Sequence, residues 1–139
     1  MNKIGFIFIF LLGFTACKTT KNLSGDNFYN KLWTLEKINA LNDEENALFS
    51  NAGLKFSEAD SVYSGSNGCN MISGKFILTG HKISFSEGLS TKRFCKGIDE
   101  QKFHEVLRNT ETIKINKGKL YLVNRETVLA VFKPKQYND

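Results

Sequence analysis

The chain has 139 residues, room for one ordinary domain, and 41% hydrophobic and 24% charged residues with a single proline describe a globular polymer, neither disordered nor fibrous. That size excludes a multidomain enzyme with a substrate cleft between domains. Nineteen Lys and Arg against fourteen Asp and Glu give +5, a modest excess spread along the chain without a compact basic patch, so nucleic acid is not an expected partner.

From the N-terminus, Met1 to Lys3 carries one positive charge, and residues 4–14 form an uncharged, almost wholly apolar run of eleven residues. A membrane-spanning helix needs about 20 such residues; this is the length of a signal-peptide hydrophobic region. Small Ala16 supplies a cleavage neighbour, and Phe14-Thr15-Ala16-Cys17 resembles the bacterial lipobox, whose cysteine is lipidated and becomes the mature N-terminus. Phe14 stands where that box usually has leucine. The resemblance implies a signal peptide over 1–16, a membrane anchor on lipidated Cys17 and a polar tether over 17–27. Several acyl chains on one cysteine anchor durably, since each buried methylene contributes about 0.8 kcal/mol and one chain alone is marginal. Lys18 rather than Asp follows the cysteine and the tether has no acidic cluster, which by bacterial sorting rules implies the outer membrane, facing the periplasm.

The folded domain is expected over 28–135. Lys31 to Asn39 partly alternates, with Trp33 and Leu35 on one face, and predicts a strand. Leu41 to Phe49 is acidic and reads as a short helix or a loop, its Asp43-Glu44-Glu45 run a solvated face before it is a cation site. Leu54 to Ser57 and Ser61 to Gly65 are short strands, and Gly65-Ser66-Asn67-Gly68 is turn chemistry. Lys75 to Thr79 and Lys82 to Ser86 flank Gly80-His81 as a hairpin. Asp99 to Asn109 is the clearest helix, with Phe103, Val106 and Leu107 on one stripe, and with Asp99 and Glu100 complementing the dipole at its start. Three strands follow, Thr112 to Asn116, Lys119 to Val123 and Thr127 to Phe132, turned by Lys117-Gly118 and Asn124-Arg125-Glu126. The pattern predicts an α+β domain, a curved antiparallel β-sheet packed with one or two helices.

Assigning Cys17 to lipid leaves Cys69 and Cys95, an even pair in a disulfide-permissive compartment. A bridge closes a loop of about 27 residues and contributes roughly 3–4 kcal/mol on the chain-entropy model. Two buried thiols are the alternative, because cysteine packs as a small hydrophobe. A zinc site needs His81 and His104 as well, and their spacing matches no paired-ligand motif, so no metal or cofactor is expected and each histidine reads as a surface residue. The sequence has no H-E-x-x-H, G-x-S-x-G, P-loop or C-x-x-C, and Ser64 to Gly68 reads as a turn, not a phosphate cradle. No catalytic residue is assigned, and the expectation is a protein that is not an enzyme.

Three features stand in order: Trp33 in the first strand; Gly68-Cys69-Asn70-Met71-Ile72-Ser73-Gly74, which reads G-C-N-x-x-x-G; and Thr91-Lys92-Arg93-Phe94-Cys95, which reads T-x-x-x-C and runs into the helix. This set resembles the META domain, the family of HslJ-like heat-shock lipoproteins, from about Leu32 to Lys133. Arg93-Phe94 departs from it, where Met-Ala more often precedes the second cysteine. Gly68 and Gly74 would permit backbone geometry or close approach that a Cβ forbids, while Asn70 and Thr91 would bind nearby backbone, so the motif reads as a corner that holds the fold. The resemblance implies no agreed chemistry. It implies a non-enzymatic envelope lipoprotein, a stress-response or assembly accessory acting through contacts with an envelope protein. The other class considered is a small carrier or sensor of an apolar, lipid-like ligand held inside the curved sheet. Eight phenylalanines remain beyond the leader, and they suit a lined cavity or a packed core equally.

Overall fold

A computed structural model describes residues 28–135; Cys17 and the stretches expected to be a signal peptide and a tether lie outside them. In β1 (Leu32–Ile38) Trp33 and Leu35 face inward, and a register shift between Leu35 and Lys37 brings Ile38 to the same side. Strict alternation would have turned Ile38 outward, so this irregularity is what adds a third core residue. The acidic stretch is a helix, α1 (Asp43–Leu48), started by a capping box: Glu45 N–H donates to the Asn42 side chain and Asn42 N–H to the Glu45 carboxylate, both at 2.9 Å. Its three acids occupy the first turn, where the helix dipole favours them. No α1 side chain is buried; Asn46 holds the helix down, accepting from Ile38 N–H at 2.7 Å and donating to Ile38 O at 3.1 Å.

The chain continues through β2 (Gly53–Ser57), β3 (Val62–Ser66), β4 (Met71–Thr79), β5 (Lys82–Phe85) and β6 (Leu89–Ser90). It ends with α2 (Gln101–Asn109), β7 (Thr112–Asn116), β8 (Lys119–Asn124) and β9 (Thr127–Pro134). All pairings are antiparallel, in the order β3-β2-β1-β9-β8-β7-β5-β4-β6. A second pairing of β3 with β4 closes eight strands into a ring, leaving β6 beside the first half of β4. The α+β architecture with a curved antiparallel sheet and two helices is thus the one that the sequence predicts. The narrowest seam is β5–β7, where Lys82 opposite Thr112 is the one ladder pair, backed by Ile83 N–H to Glu111 O and Ile113 N–H to His81 O. Helix α2 packs over β5 and β8 beside that seam and buries Phe103, Val106 and Leu107.

Side chains fill the ring. Phe28 stacks on Phe56 at 4.4 Å, Phe56 meets Phe76 edge-on at 5.4 Å, and Tyr63 meets Phe85 edge-on at 5.4 Å. Six of the eight phenylalanines among the described residues are buried and Phe85 packs against them, so these rings constitute a core and do not line a void.

Three local expectations change. The predicted strand from Ser61 starts at Val62, because Ser61 has φ of 54° and belongs to the preceding turn. Gly65 and Ser66 are strand, and the turn runs through Asn67–Asn70, closed by Asn67 N–H to Asn70 O at 3.0 Å. Strand β4 starts at Met71 rather than Lys75, since residues 71–75 pair with β3.

Candidate functional site

The turn between β3 and β4 meets the segment leading into α2, and most of the G-C-N-x-x-x-G and T-x-x-x-C residues meet there. Asn67 and Asn70 are both wholly buried. Asn67 Oδ1 accepts from the backbone N–H of Cys69 and Asn70, at 3.1 and 2.7 Å, an Asx-type turn that fixes which end of the amide is oxygen. Its Nδ2 therefore donates, to Glu100 Oε2 at 2.7 Å and to His104 Nε2 at 3.1 Å. That contact requires a His104 tautomer whose Nε2 is an acceptor.

Asn70 satisfies both ends of its amide. Oδ1 accepts from Thr91 Oγ1 at 2.8 Å and Arg93 N–H at 2.7 Å; Nδ2 donates to Arg93 O at 3.1 Å and Glu100 Oε2 at 2.8 Å. Arg93 Nη2 donates to Cys69 O at 2.7 Å, and Met71 N–H donates to Thr91 Oγ1 at 3.1 Å. A disulfide joins Cys69 and Cys95, so the pair is neither two free thiols nor available to a metal. The hydrogen bonds from Asn70, chiefly, and from Asn67 hold the Glu100 carboxyl below its ordinary range against the opposing effect of burial.

Gly68 sits at φ of 101° with Phe49 packed beside it, a backbone conformation that other residues rarely adopt. Gly74 lies under the Tyr63 ring, where an added Cβ would come within 2.6 Å of ring carbon and hydroxyl. Trp33 is apart from this corner: it is buried on β1 and donates from Nε1 to Phe28 O at 2.9 Å. Cys17 lies outside the described residues.

Four participants carried no such role in the sequence. Asn67 read as one turn residue among several, Arg93 as a departure from the family pattern, Glu100 as a dipole complement and His104 as a surface residue. Glu100 is the N-cap of α2 but makes no side-chain cap bond; its carboxylate turns instead to the two asparagines. His104 is half-buried against Asn67. Asn67-x-x-Asn70 before a strand was the one available signal, since two amides at that spacing can close a turn and still point a donor outward. Chemically the cluster is a brace: its amides are fully used in joining the β3–β4 turn, the Thr91–Cys95 segment and the start of α2.

This is a ring-closed antiparallel sheet whose corner is cross-linked by a disulfide and by buried amides. The model of the META domain family matches residues 26–137, and the chain belongs to that family. Among solved structures, the chain is similar to a protein from Burkholderia xenovorans studied by NMR, with 19% identity and a TM-score of 0.60 over 81% of this chain and 86% of that one. It is also similar to a crystal structure of a DUF4847 family protein from Bacteroides vulgatus, with 16% identity and a TM-score of 0.59 over 82% and 99% of the two chains. At these identities the likeness is one of fold. No curated protein matches.

Proposed function

We propose that this META-domain chain is a non-enzymatic lipoprotein of the bacterial envelope, anchored through Cys17 to the outer membrane, facing the periplasm and acting through protein contacts as a stress-response or assembly accessory. The observation that carries the contact reading is the filled ring, whose stacked and edge-on phenylalanines leave the outer surface as the part that meets other molecules. The lipobox-like run supports the anchor, and the Cys69–Cys95 bridge suits an oxidising compartment.

Three measurements test it. Mass analysis of the N-terminal peptide is expected to find acylated Cys17; an unmodified cysteine overturns the anchor. Crosslinking in native membranes followed by purification is expected to recover one defined envelope protein, and repeated failure removes the contact reading. Native mass spectrometry of a Cys17→Ser form from periplasm is expected to give a bare mass. A retained adduct of lipid mass would favour the carrier reading instead. One feature supports that second reading: a groove of about 340 Å³ whose apolar floor of Ile38, Leu41, Val106 and Leu129 is edged by polar and charged side chains, Lys102 and Glu105 among them.

A further inference from the structure

We infer that the Leu89–Lys96 segment, with Met71 beside it, is a surface that docks the domain onto an anionic lipid bilayer. Among the described residues most large apolar side chains are buried, yet Met71, Leu89 and Phe94 are 61%, 83% and 91% exposed, while Ile77, 70% exposed, stands apart toward the far end of β4. They belong to one neighbourhood. Ile72 points into the core, so Met71 and Ser73 point out, and Leu89 is the β6 partner of Ser73 on that same outer face. Phe94 precedes the cysteine bonded to Cys69, two residues from Met71.

Charge selects the occupant. Residues 89–96 contain Lys92, Arg93 and Lys96 and no acid; Glu87 and Asp99 stand beyond the two ends. Among the described residues, the Lys92 and Lys96 side chains form no ion pair. Exposed apolar groups interleaved with unpaired cations match the interface of an anionic bilayer, where the rings and chains enter the headgroup region and each cation is attracted to the surface. A protein groove would ask instead for a shaped, continuous apolar face.

The geometry also permits docking and anchoring together. Leu89 pairs with Ser73, Ser73 with Ser64, Ser64 with Lys55, and Lys55 with Leu32, one row of partners leading to the start of β1, four residues after Phe28. Four strand spacings make about 19 Å along the sheet. Phe28 is already buried in the core, so the reach is set by the eleven residues from Cys17 to Phe28, which can extend to about 36 Å, enough for the anchor and this segment to reach one membrane together.

The proposal rests on the lipid-anchored reading for its setting, but its test does not. A Cys17→Ser chain beginning at residue 17 keeps the ring, both helices and the disulfide. It is mixed with vesicles of phosphatidylcholine alone or with roughly one-third phosphatidylglycerol, and sedimented at low and high salt. Expected is binding to the anionic vesicles that salt weakens. Leu89→Ser with Phe94→Ser, and separately Lys92→Glu with Lys96→Glu, should each lower that affinity about tenfold or more. All four side chains are exposed, so an unchanged melting temperature should show that the variants remain folded. Absence of anionic-vesicle binding by the parent overturns the proposal, as does parental binding by both variants. Concentration-dependent self-association through Phe94 without vesicle binding also overturns it, assigning the patch to a second copy. Unmodified Cys17 would fail the anchor reading while leaving a positive vesicle result standing, whereas acylated Cys17 without vesicle binding fails this inference alone.

Discussion

Asn70 shows what one buried amide does at this corner. Its two acceptor bonds hold Thr91 and Arg93, and its two donor bonds hold Arg93 O and Glu100. Asn70→Asp keeps the shape but turns the donor end toward a carbonyl and a carboxylate as another acceptor. It is expected to cost about 2 kcal/mol or more near neutral pH and to recover part of that loss on acidification, measured by thermal melts. Full stability near neutral pH would show that the brace contributes nothing. Glu100 carries a second prediction. Its folded-state pKa is lowered from the ordinary 4.5, chiefly by the Asn70 hydrogen bond, so the stability it adds is present above that ordinary value and is lost as pH falls through the lowered one. Glu100→Gln should therefore melt below the parent near neutral pH, with the gap closing in acid; a gap independent of pH would refute the assignment. At Gly74 the constraint is space. Gly74→Ala puts a Cβ within 2.6 Å of the buried Tyr63 ring, whose hydroxyl is tied to Ser86 O at 3.1 Å, and overpacking of this kind costs about 1–3 kcal/mol.

The β5–β7 seam is the place where an element, not a residue, decides the outcome. One ladder pair and two flanking backbone bonds join these strands, and α2 lies beside them with Phe103 buried and edge-on to Phe132 at 6.3 Å. Phe103→Ala should remove about 3–5 kcal/mol and raise amide exchange first at Ile83 and Ile113, the donors across the seam. Uniform acceleration across the ring would mean that α2 does not guard this junction. The amphipathic stripe of α2 and the glycine turns of the hairpins were legible because local periodicity and positive φ dictate them: Gly80 and the Lys117-Gly118 pair all have φ above zero. Strand β6 was not legible, since two residues carry no period and its formation depends on β4 lying alongside. The first half of β4 was hidden for a related reason, because its turn-like motif is strand only once β3 pairs with it. In the site, the cysteines and Asn70 were visible as a motif. The partnership of Asn67 and Asn70 with Glu100 and His104 depends on bringing together groups 30 to 37 residues apart, which no local signal encodes.

At the scale of the molecule, closure makes stability a shared property: every strand of the ring has two neighbours, and β4 is the strand on which the circle closes. The disulfide reinforces this arrangement from outside the ladder. It fastens the β3–β4 turn to the segment before α2, linking the point of closure to the helix that covers the weakest seam. With a sequence separation of 26, the cross-link restricts the unfolded chain by about 3–4 kcal/mol on the entropic account. For a domain of this size that corresponds to a melting temperature on the order of 15 °C lower once the bond is gone. Cys95 is the better site for the test, because it is half-exposed and Cys95→Ala leaves less of a cavity than the same change at buried Cys69. Cys95→Ala, the double variant and the reduced parent should all lose about the same amount, since each removes one cross-link. Reduced and oxidised parents with equal melting temperatures would place the whole burden of the corner on its amides. If instead Cys95→Ala also raises exchange at Ile83 and Ile113, then the cross-link acts on the seam through α2, and the corner and the helix unfold as one unit.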